Sequence, residues 1–80
     1  MALVAERITD SRTQQLRDLI EVLVAVVKRH DGVVSQRVAM QEAAREARMS
    51  IAEMPYIVNS AVADNRITAD LRSGKLELVS

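Results

Sequence analysis

The 80-residue chain contains no cysteine, which excludes disulfides and thiolate-ligated metal centres. Phenylalanine and tryptophan are missing too, and Tyr56 is the sole aromatic, so a core has to be assembled from Val, Leu, Ile, Ala and Met. The single histidine, His30, has no ligand cluster around it and is expected to cap free carbonyls at a helix end. Neither sign of charge is in excess: 11 basic and 11 acidic side chains cancel, and no global field draws the chain to nucleic acid or anionic lipid. The longest apolar run, Val22 to Val27, is too short to span a bilayer. Glu6 and Arg7, soon after Met1, do not suit a secretory signal, so a soluble cytoplasmic domain is expected.

Catalytic chemistry is equally sparse. Ser11, Ser35 and Ser50 suit helix caps better than nucleophiles, and Glu42 and Glu46 are expected on a solvated face. Gly32 and Gly74 are turn glycines without a phosphate-cradling loop. Of the four methionines, Met1 is an initiator and Met40, Met49 and Met54 fill the core. The sequence predicts no enzyme, no cofactor and no metal.

What is present is apolar periodicity. Residues 1–10 read as an N-terminal arm, either frayed or packed on a second subunit through Leu3, Val4 and Ile8, and residues 11–80 as one domain. Ser11-Arg12-Thr13-Gln14 has the form of a capping box opening a helix to about His30, which Asp31-Gly32 stops. Leu16, Leu19, Ile20, Leu23, Val26 and Val27 make its core stripe, and Val22, Val24 and Ala25 widen it. That surplus is explained by a central helix wrapped by the other elements or by a homodimer interface through Val22, Val24 and Ala25. A domain this small buries only about two-thirds of its unfolded surface, so self-association is the expected reinforcement.

Val33-Val34 follow as a short strand, and Ser35 caps a second helix over about Gln36 to Arg48, with Met40, Ala43, Ala44 and Ala47 inward. Ser50-Ile51-Ala52-Glu53 is a second capping box. The helix behind it runs to about Asp64 with Met54, Ile57, Val58, Ala61 and Val62 inward, and Pro55 implies that it opens with a loose turn. Alternation from Ile67 to Val79 spells a β-hairpin: with Ser73-Gly74 as the turn, Leu71 pairs with Leu76 and Ala69 with Leu78. Thr68, Asp70 and Arg72 then face Lys75, Glu77 and Val79, with Asp70 opposite Glu77.

Gly32-Val33-Val34 before the second helix, Arg48-Met49-Ser50 as a turn, and Asn65-Arg66-Ile67-Thr68 through Leu78 as a terminal hairpin resemble the winged helix-turn-helix superfamily over about Arg12 to Ser80. The resemblance implies a mainly α fold of three helices plus a wing, and a DNA-binding regulator of transcription whose third helix enters the major groove. Carried onto this chain, it assigns Tyr56, Asn59 and Ser60 to the reading stripe, flanked by Ala52 and Ala63. Arg37, Arg45, Arg66, Arg72 and Lys75 become the phosphate contacts. The third helix departs from that pattern: it has no cation before Arg66 and contributes Glu53 and Asp64. A winged-helix adaptor that docks on protein is therefore the alternative, as is a helical bundle whose open hairpin edge pairs with a partner strand.

Overall fold

The computed structural model describes residues 2–79, with side-chain detail over residues 14–79. Helix α1 (Ala2–Arg29) leads into strand β1 (Val33–Ser35) and helix α2 (Gln36–Ala47). A single 3-10 turn (Ile51–Glu53) precedes helix α3 (Met54–Ala63), and strands β2 (Ile67–Asp70) and β3 (Lys75–Leu78) close the chain. The strands form one antiparallel sheet in the order β1-β3-β2. Three helices with a small sheet and a C-terminal hairpin make a mainly α, winged-helix-like arrangement. No helix among the described residues is long and apolar enough to cross a membrane.

Packing explains the wide apolar face of α1. Ile20, Leu23, Val24, Val26 and Val27 are all buried, because α2, α3 and the sheet all lie against this one helix. Val24 is 2% exposed and belongs to the domain's own core, which corrects its assignment to a dimer interface. Val22 packs partly on the same core, and only Ala25 of that trio is exposed. The helix begins ten residues before the expected start at Arg12, and Gln14 donates forward to Asp18 (3.0 Å). Ser11 is thus an interior helical residue. The expected packing of Leu3, Val4 and Ile8 on a second subunit lies outside the described side chains.

Helix α2 presents Ala39, Ala43 and Ala44 inward, and these small side chains let it lie close to its neighbours. Met40 and Ala47 are only partly buried, so the inward face is rotated toward Ala39 relative to expectation. Ser35 caps α2 as expected, its Oγ accepting from Val38 N (3.1 Å). Met54, Ile57, Val58 and Ala61 are the buried face of α3. Pro55 sits in its first turn, where its missing N–H costs nothing, and the 3-10 turn supplies the loose opening. The second capping box is only half formed: Ser50 Oγ accepts from Ala52 N, and Glu53 N donates to the Ser50 carbonyl.

All three helices end alike. Gly32 N bonds Val27 O, Met49 N bonds Ala44 O and Arg66 N bonds Ala61 O, each at 3.0 Å. The residue before each donor, Asp31, Arg48 or Asn65, adopts a positive φ. These are Schellman closures, and Asp31 rather than Gly32 takes the left-handed position that ends α1.

His30 is placed differently from expectation, Glu42 is half-buried, and Glu46 lies on the solvated face as expected. His30 Nε2 lies 2.8 Å from Glu42 Oε2, and Arg29 pairs with Glu46, so both carboxylates tie α2 to the end of α1.

Candidate nucleic-acid interface

The exposed side of α3 follows from its buried side. With Met54, Ile57, Val58 and Ala61 inward, the helical period turns Tyr56, Asn59 and Ala63 to solvent, while Ser60 is half-buried. Ala52, in the preceding 3-10 turn, is exposed as well. The stripe is polar but carries no charge of its own. Tyr56 also borders an open groove of about 710 Å³ whose apolar wall is Leu16, Leu19, Met49 and Ile57, with Arg48 and Glu53 at its lip.

The wing differs from expectation in register. Asp70 pairs with Lys75, Ala69 with Leu76, Thr68 with Glu77 and Ile67 with Leu78, so the pairing is offset by two residues and the loop holds four, Leu71 to Gly74. Because the offset is even, the faces survive: Ile67 and Leu76 are buried, with Ala69 and Leu78 packed beside them. The physical reason lies in the turn. A two-residue hairpin loop requires positive φ at both central residues or a glycine at the first, and Ser73-Gly74 offers glycine only at the second. Instead Gly74 adopts φ +69°, its N–H bonds Asp70 O (2.8 Å), and Asp70 Oδ1 accepts from Arg72 N (2.9 Å) and Ser73 N (3.4 Å).

Those loop hydrogen bonds, from Arg72 first and then Ser73, hold the Asp70 carboxyl below its ordinary range, and the Lys75 charge adds to them. Asp70 therefore serves the loop rather than neutralising the wing cations through an ion pair. Leu71, expected opposite Leu76, projects from the loop and is 93% exposed. Strand β3 is paired on both sides, by β1 and β2, so the hairpin edge near Val79 is closed and Val79 N itself donates to Arg66 O. That corrects the open edge on which a strand-pairing partner depended.

The five candidate cations are not equivalent. Arg66 is held by Glu21 of α1; its hydrogen bond lowers the glutamate's pKa and raises that of the guanidinium. Arg72 and Lys75 form no ion pair among the described residues, and both are exposed on the wing. Arg37 is brought beside the wing, because the preceding Gln36 N donates to Gly74 O (2.7 Å) at the loop base. Arg45 lies about 12 Å further along α2 and about 80° around its axis, and nothing gathers it with the others.

Leu71 is the residue whose place sequence reasoning misjudged. The available signal was the mismatch between Ser73-Gly74 and a two-residue turn, together with an aspartate positioned to cap a longer loop. Comparisons of the chain with protein-family models, with curated proteins and with solved structures gave no match.

Proposed function

We propose that this protein is a small non-enzymatic DNA-binding regulator that lays α3 in the major groove and rests its wing on the adjacent backbone. The observation that carries this reading is the pairing of an exposed Tyr56–Asn59–Ala63 stripe with three exposed cations, Arg72 and Lys75 of the wing and the neighbouring Arg37, although the wing strands also carry Asp70 and Glu77. Asn59 suits bidentate contact with adenine, Ala63 a thymine methyl, and Tyr56 a phosphate. The wing cations supply the sequence-independent attraction that the neutral helix lacks.

Self-association belongs to the same proposal. At about 1.5 Å per residue α1 is about 42 Å long, and its side chains from Leu16 to Val27 build the core described above. A second copy packed along α1 would double the number of phosphate contacts.

A protein adaptor is the second reading, favoured by the absence of charge on the α3 stripe and by the apolar groove beside Tyr56. Fluorescence anisotropy with a mixed-sequence duplex across a salt series separates the two. The DNA reading expects affinity to fall with salt at a slope of about −0.9 per phosphate contacted, hence about −3 for one protomer's Arg37, Arg72 and Lys75. No binding at low salt would contradict it. Sedimentation velocity tests the dimer, and a monomer at all concentrations would remove that part.

A further inference from the structure

We infer that the outer edge of β2 is an interface for a second copy of this chain, joining two sheets by antiparallel β2–β2 pairing about a two-fold axis centred on Thr68. The inference does not depend on the DNA reading, and it uses a different surface from the packing along α1.

Strand β3 is enclosed, but β2 has a strand on one side only. Arg66 O accepts from Val79 N (3.2 Å) and Asp70 O from Gly74 N (2.8 Å), so both carbonyls turn toward β3. By alternation, Ile67 and Ala69 turn their N–H and C=O groups the other way, to an edge that no strand covers among the described residues. The usual guards of such an edge are missing. Strand β2 contains neither proline nor lysine, and its register with β3 runs without a bulge.

This edge is complementary to itself. With Thr68 opposite the partner's Thr68, Ile67 faces the partner's Ala69 and Arg66 faces the partner's Asp70. Each Ile67–Ala69 pair then exchanges both of its main-chain hydrogen bonds, which satisfies every outward group of the strand. Arg66 meets Glu21 through Nη1, and Asp70 holds its loop through Oδ1 alone, so each keeps hydrogen-bonding capacity for the other. Sliding the pairing by two residues sets Arg66 against the partner's Arg72, or Asp70 against the partner's Asp64. Like charges directly opposite destabilise a sheet, so charge selects the register centred on Thr68.

The test uses the full chain, which has no cysteine, so a single introduced thiol reports on one position. Thr68→Cys puts two thiols at a non-hydrogen-bonded pair, with Cα atoms about 4.5 Å apart and within disulfide range. Under mild oxidation this variant should form a covalent dimer, and Glu77→Cys, on the adjoining strand, should not. Sedimentation velocity should show the wild-type chain associating as its concentration rises. Thr68→Lys sets like charges against each other across the axis while facing Glu77 within its own hairpin, and should weaken association about fivefold. Ala69→Pro removes an outward N–H that the hairpin does not use, and should weaken it about thirtyfold. A wild-type monomer at all concentrations, or Thr68→Cys crosslinking no faster than Glu77→Cys, overturns the inference. Association that survives Thr68→Lys and Ala69→Pro unchanged also overturns it and leaves α1 as the surface of self-association. None of these results bears on whether the chain binds DNA, which the salt series decides separately.

Discussion

The α3 stripe and the wing tip are both exposed, but they are built on opposite terms. The stripe lies on a helix whose other side, Met54, Ile57, Val58 and Ala61, is locked into the core, so its geometry is fixed by burial. The tip touches no core and is fixed by hydrogen bonds alone, chiefly those of the Asp70 carboxylate. The stripe has shape and no charge; the tip has charge and one apolar point. A reading surface divided in this way would separate sequence choice from affinity, with α3 governing the first and the wing the second.

The largest effect should come from detaching the wing. Leu76, fully buried on the central strand, joins the hairpin to the core, and Leu76→Ala should destabilise the fold by about 2–5 kcal/mol in urea unfolding. A smaller cost would mean that the wing is an appendage rather than part of the cooperative unit. Next, Arg72→Ala with Lys75→Ala should weaken all duplexes alike and reduce the salt slope by about 2, read by anisotropy. A loss confined to one sequence would reverse the division of labour. Asn59→Ala should leave the slope alone and relax discrimination by about 1–3 kcal/mol at one base pair. Equal weakening across sequences would do away with its role in the major groove.

The smallest effect is pH-dependent. Asp70 and Glu21 both have folded pKa values below their unfolded ones, so each contributes stability above the unfolded value. That contribution is lost as pH falls below about 4 and through the folded values. Protection of the Arg72 and Ser73 amides, corrected for the intrinsic exchange rate at each pH, should therefore fall in acid, and Asp70→Asn should lower it at neutral pH and flatten the acid dependence. Slow exchange in that variant would show that the loop does not depend on the carboxylate.

Much of the helical half was legible in the sequence because burial at a 3.6-residue period leaves a trace, although the start of α1 and the inward face of α2 were misplaced. The exposed positions Tyr56, Asn59 and Ala63 follow from that period, while the Ser35 cap and the loose turn before Pro55 follow from capping and proline chemistry. The wing was legible in its faces and not in its register, since alternation is blind to an even offset and only turn chemistry decides it. Tertiary contacts escaped the sequence for a different reason. Nothing local announces that Glu21 will meet Arg66 across 45 residues, or that Val24 will be buried by the domain itself instead of a second copy.

The most direct test of the divided reading surface is a backbone amide chemical-shift titration with a mixed-sequence duplex. The account predicts that perturbations gather at Tyr56, Asn59 and Ala63 and at Leu71 to Gly74, with the stripe shifts changing between sequences and the wing shifts constant. Perturbations centred on Leu16, Leu19 and Met49 in the groove, or none at all, would contradict it.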